Sequence, residues 1–291
     1  MSIAKRVNYE SSYLMVEWAP VIVGLLVLYV PTFYNLAHSH WTQDDHAHGP
    51  IILAVVIWLI WDRRQVLLAI PSRTSPVGGL GLLVFGLLIY ALGRSQGVPL
   101  LEVGALVPIL AGVLLAMRGW SAVKEYGFML FFVVYLVPLP GFFVNAVTLP
   151  LRQSVSSVTE NILYFLGYPI ALDGVILSIG RYQLLVEDAC SGLNSMFSLS
   201  AIGLLYLYLV RRKSWIHNSI VIASLLPIAF FANVVRVVAL VLVTYYFGDA
   251  AGQGIVHDFS GMLLFVIALI GIMLLDAVLL PLTRRQPRRD E

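Results

Sequence analysis

The chain has 291 residues, of which 59% are hydrophobic and 12% charged, with a formal net charge of +2 at pH 7. A soluble domain is excluded, because a soluble core cannot absorb that much apolar surface. The small charge gives no argument for nucleic acid as a partner, and no basic strip with interleaved aromatic residues appears.

Windows of roughly 20 apolar residues, enough to cross a hydrocarbon layer about 30 Å thick, recur along nearly the whole chain. They predict a single integral membrane domain over residues 1–291, an all-α polytopic protein of eight transmembrane helices. The spans fall at about 18–37, 49–61, 77–94, 99–117, 121–137, 192–210, 216–247 and 258–281. The second is short by itself, and the seventh is long, with Pro227 inside it as an expected kink. The first does not read as a cleaved signal peptide, because polar-leaning sequence precedes it and no small-residue cleavage site follows. No further C-terminal domain is expected after the eighth.

Lys and Arg are retained on the cytoplasmic side of a membrane. Lys5 and Arg6, Arg63, Arg64 and Arg73, Arg118 and Lys124, Arg211 to Lys213, and Arg284 to Arg289 all fall on one side if both termini are cytoplasmic. Eight spans satisfy that parity, so 216–247 is read as one bent or protruding helix rather than two. The outward segments are then 38–48, 95–98, 138–191 and 248–257. Within the third, Phe142 to Leu166 reads as an interfacial helix. Gly174 to Val186 reads as a short β-hairpin, two strands around the Gly180 turn, which delivers the chain into Glu187, Asp188, Ala189, Cys190, Ser191 and Gly192 before the sixth span.

Cys190 is the only cysteine, on the side where thiols tend to be oxidised, so it has no intramolecular disulfide partner. Its alternatives are a small buried hydrophobe or a nucleophile. Ser191 and Gly192 at a helix start offer free backbone N–H groups that favour a thiolate and an oxyanion, whereas Glu187 and Asp188 raise the thiol pKa and require an offsetting cation. Arg236 is the strongly basic residue inside an apolar run. Twenty-one residues beyond Trp215 carry it about 31 Å, to the depth expected for Cys190. Asn233 shares its helix face. His257 opens the last span and is the base near neutrality there. Arg236 has a structural alternative in snorkelling or in pairing with Glu187 or Asp258, and His257 in capping a helix. Together, thiol, guanidinium and imidazole at one depth form the kit of nucleophilic acyl transfer. Asp44, Asp45, His46 and His48 are a secondary metal candidate, read more simply as a loop near the site. No cofactor is expected. His38, His40 and His217 are read as interfacial.

At these residues the sequence resembles the exosortase and archaeosortase family of membrane transpeptidase-like proteins. The matching pieces are Glu187 to Leu193, Asn233 to Arg236, His257 with Gly261, and the segment His48, Gly49, Pro50. The resemblance implies a catalytic trio of Cys190, Arg236 and His257, with Glu187, Ser191, Gly192 and Asn233 in support. It also implies a bacterial form, since archaeal members carry Arg in place of the histidine. The implied partners are membrane lipid and secreted proteins bearing a C-terminal sorting signal: a short Pro-Glu-Pro type motif, a transmembrane helix and a basic tail. The implied place is the bacterial cytoplasmic membrane, with the active site extracytoplasmic. Two rivals share the hydropathy. A transporter or channel would use Arg236 as a substrate anchor and show internal repeats or paired broken helices. A membrane acyltransferase or quinone-linked oxidoreductase would use His46, His48 and His257 and leave Cys190 dispensable.

Overall fold

The computed structural model describes residues 3–39, 41, 49–70, 75–138, 140–174, 176–185, 192–212, 214–248 and 255–283. The chain is an all-α polytopic membrane protein with one small sheet. In chain order the helices are α1 (Ile3–Ser39), α2 (Gly49–Asp62), α3 (Arg64–Ala69), α4 (Pro76–Gln96), α5 (Pro99–Gly104), α6 (Leu106–Arg118), α7 (Trp120–Glu125) and α8 (Gly127–Val133), followed by a 3₁₀ turn over Val134–Leu136. Then come α9 (Gly141–Phe165), the strands β1 (Ile170–Asp173), β2 (Ile176–Ile179) and β3 (Tyr182–Leu185), and finally α10 (Gly192–Val210), α11 (Trp215–Phe247) and α12 (Ile255–Thr283).

Five stretches are long and apolar enough to cross a membrane: Glu17–Ser39, Pro76–Gln96, Pro99–Arg118, Trp215–Phe247 and Leu264–Pro281. Shorter apolar helices, Gly49–Asp62, Gly127–Leu136 and Phe197–Val210, stand at the second, fifth and sixth expected spans. Large apolar side chains of the long stretches point outward as lipid-facing ones do: Val27, Val77, Leu88 and Leu274 are all well exposed. The long 216–247 run is one helix, with Pro227 inside it. Hydropathy alone did not show the break after Gly104 or the one at Tyr126, which divide the fourth and fifth runs.

Two compact units are formed, Met1–Pro140 and Gly141–Glu291. In the first, α4 and α6 meet along a seam of small residues. Gly79, Gly86 and Gly93, spaced by seven, face Ala116, Ile109 and Glu102, and Gly112 of α6 faces Leu83. The missing side chains let the helix backbones approach closely, as membrane helices do where lipid offers no hydrophobic drive for association. A buried polar cluster ties α1 to α4 and α5. Thr32 donates to Glu102 Oε1 at 2.5 Å, Arg94 Nη1 donates to the same oxygen at 2.8 Å, and the Tyr90 hydroxyl donates to the Leu28 carbonyl at 2.6 Å. Arg63 pairs with Glu125 and Arg118 with Glu17, each at 2.8 Å, so two of the basic clusters carry carboxylate partners.

In the second unit the three strands form an antiparallel meander in the order β1-β2-β3, one strand more than the expected hairpin. Gly174 (φ 63°) follows β1 and Gly180 (φ 57°) follows β2, and both supply the left-handed conformation that tight turns between strands need. The pleat sends Ile170, Leu177, Ile179 and Leu184 inward. There they pack with Val155 and Leu163 of α9 and with Val234, Val237, Leu240 and Val241 of α11. The Phe142–Leu166 segment is indeed helical, as α9.

Candidate functional site

The sheet, α10, α11 and α12 determine where the candidate residues stand. Asn233 and Arg236 lie one turn apart on α11, and both are buried, at 1% and 3% exposure. Their neighbours Ala232, Val234 and Val237 are apolar and buried as well. A guanidinium in such surroundings is costly unless it is used or paired, and its fixed planar fork is suited to holding an anion or a developing oxyanion. The meander packs on the Val234 to Val241 stretch of this helix, so the strand that leads toward residue 190 is anchored one turn beyond Arg236.

Cys190, together with Glu187, Asp188 and Ser191, lies outside the described residues, as do Asp44, Asp45, His46 and His48. Gly192 is the first residue of α10, the position expected for a helix start behind the cysteine. The backbone of His257 lies in the first turn of α12. Among the described residues, then, Arg236 and Asn233 share one buried face, and the backbones of Gly192 and His257 stand at the starts of two helices.

A second polar constellation went unread in the sequence. Asp276, buried in the most apolar stretch of α12, accepts three neighbours: Arg212 Nη2 at 2.7 Å and the Tyr206 hydroxyl at 3.1 Å on Oδ2, and His217 Nε2 at 2.7 Å from Oδ1. His217, read from the sequence as interfacial, is 1% exposed and faces the inside of the bundle. Ser214 caps the helix behind it, accepting the His217 backbone N–H. The hydrogen bond to Asp276 raises the pKa of Arg212 further above its already high value. The signal that would have found this group is the acidic residue inside an apolar run, the same signal that picked out Arg236.

At the far end of α11 a cavity of about 460 Å³ opens against the β2–β3 turn, lined by Gly180, Arg181, Tyr182, Tyr245, Tyr246 and Gly248 among others. Arg181 lies over the Tyr182 ring, its Cζ 5.0 Å from the centroid, and the Tyr168 and Tyr246 hydroxyls meet at 2.9 Å. Aromatic rings with polar tips at the end of an apolar helix are the composition of a membrane interface.

No curated protein and no solved structure matches the chain. The family model of the transmembrane exosortases matches it over residues 40–274, a stretch that takes in Arg236, His257 and the 187–192 segment, and the chain therefore belongs to the transmembrane exosortase family.

Proposed function

We propose that this exosortase is a cysteine-dependent endopeptidase or transpeptidase that removes C-terminal sorting signals from secreted proteins through a thioester intermediate. The supporting observation is the buried Asn233–Arg236 face of α11, a guanidinium inside a membrane-spanning helix in a chain of this family. Both termini are cytoplasmic in this reading, and the reaction takes place at the extracytoplasmic face of the inner membrane.

The sorting helix of the substrate docks beside the bundle with its scissile bond at the outer interface. The Cys190 thiolate attacks the carbonyl carbon, and the resulting oxyanion is held by Arg236 and by backbone N–H groups at the start of α10. As the C–N bond breaks, the His257 imidazolium gives its proton to the leaving amine, and a thioester remains on Cys190. An incoming amine or water, deprotonated by the now neutral His257, attacks the thioester and regenerates the thiolate. Glu187 and Ser191 flank the nucleophile, and Asn233 supports Arg236 from the preceding turn.

Co-expression with a reporter carrying a Pro-Glu-Pro type tail, a transmembrane helix and a basic end tests this reading. Wild type is expected to shorten the reporter, whereas Cys190→Ala and Cys190→Ser, present at unchanged membrane levels, leave it intact. Undiminished shortening by Cys190→Ala refutes the cysteine mechanism.

A further inference from the structure

The carboxylate of Asp276 gathers groups from three consecutive pieces of the chain: Tyr206 of α10, Arg212 of the α10–α11 connection and His217 in the first turn of α11. Every one of these contacts lies at the same end of the α10–α11–α12 bundle. From that junction α11 runs nineteen residues to Arg236, and α12, followed backward, runs nineteen residues from Asp276 to His257. At 1.5 Å per residue both distances come to about 28 Å.

The two helices stay packed antiparallel along their length. Val221 and Leu225 pack with Ile272, Gly271 faces Ile228, and Ala229 and Ala232 pack with Leu264 and Ala268. Counted from the His217–Asp276 pair, His257 falls opposite Arg236, and counted from the Gly271–Ile228 contact it falls about six residues, roughly 9 Å, further along, so their relative height depends on how the other ends of the helices are pinned. Apolar packing alone specifies such a register weakly: a smooth stripe of Ala, Leu and Ile tolerates a slip of one turn, about 5.4 Å, at little cost. A buried polar pair permits one register, since any slip leaves the carboxylate and the imidazole facing hydrocarbon.

We propose that Asp276 and His217 are positioning residues that set the height of Arg236 against His257, from the opposite end of the bundle to the chemistry. The role rests on the functional reading above, but its structural half can be measured without any activity. Spin labels are placed at Phe231→Cys and Val266→Cys, both exposed positions, in a Cys190→Ala background, and the interlabel distance is read with Asp276 intact, as Asp276→Leu, and with the pair exchanged by His217→Asp and Asp276→His. In parallel, kcat and KM for the reporter tail are measured per folded enzyme in the Cys190-bearing protein.

Asp276→Leu is expected to broaden the distance distribution or shift it by several ångströms, and to lower kcat at least tenfold with KM held within about twofold. The exchanged pair is expected to bring both back toward wild type. The milder His217→Gln, which keeps a hydrogen-bonding group, serves should Asp276→Leu not fold. An interlabel distance unmoved by loss of the carboxylate overturns the proposal, as does a variant whose only defect is a smaller folded fraction. If wild type fails to process any tail, the proposed chemistry falls, while the distance measurement still decides the register.

Discussion

Gly112 and Gly81 provide a matched pair of substitutions in the first unit. A methyl group at Gly112 would stand 2.6 Å from the Leu83 backbone nitrogen, 2.9 Å from its Cα and 3.0 Å from the Gly79 carbonyl oxygen, all of them backbone atoms of α4. Ordinary contact begins near 3.4 Å, so α4 and α6 would have to separate by roughly 0.8 Å at this point. A methyl group at Gly81 meets nothing within 4 Å. Both changes are Gly→Ala within a helix, where the intrinsic preference is worth about 1 kcal/mol in favour of Ala. That gain cancels in the difference between the two variants and leaves the overpacking cost, about 1–3 kcal/mol. Gly81→Ala is expected to match or exceed wild type in stability, and Gly112→Ala to fall below Gly81→Ala by about 2 kcal/mol, a factor of about 30 in the folding equilibrium. Unfolding in mixed micelles on raising the fraction of dodecyl sulfate, followed by tryptophan fluorescence, measures both. Equal stability of the two variants would refute close backbone packing along this seam.

The other predictions concern charged groups and hydroxyls. Glu102→Ala is expected to cost about 1–2 kcal/mol in the same titration, most of it from the buried Thr32 hydroxyl, since Arg94 has a side chain 41% exposed and returns to water; Glu102→Gln keeps an acceptor and costs less than half as much. Arg236→Gln is expected to slow reporter processing about a hundredfold and Arg236→Lys less, because Lys keeps the charge but loses the fork; pulse-chase labelling at matched membrane levels distinguishes them. Tyr246→Phe removes one member of an exposed hydroxyl pair and is expected to change stability by less than about 0.5 kcal/mol.

What was legible in the sequence, and what was not, follows from how far each signal reaches along the chain. A membrane helix announces itself locally, because each stretch must by itself be apolar enough to displace water, and the eight expected runs all appear as apolar helices. Breaks within a run are invisible to hydropathy: Ala105 and Tyr126 interrupt helices without changing the apolar average around them. The strand β1 escaped notice because Ile170 to Asp173 is only four residues long and owes its conformation to pairing with β2, not to its own alternation. Arg236 stood out because a guanidinium is costly in an apolar helix, and the structure buries it to 3% exposure. Asp276 carried the same signal, yet its meaning depended on His217, 59 residues away, and on Arg212, which topology alone already explained as one of a basic cluster. Such a pair becomes readable only when both members are placed at one depth by counting along antiparallel helices. Counted the same way from His217 and Asp276, α11 and α12 each run about 28 Å to Arg236 and to His257, so the polar pair at one end of these helices is placed to fix their register at the other, which is the role proposed for it.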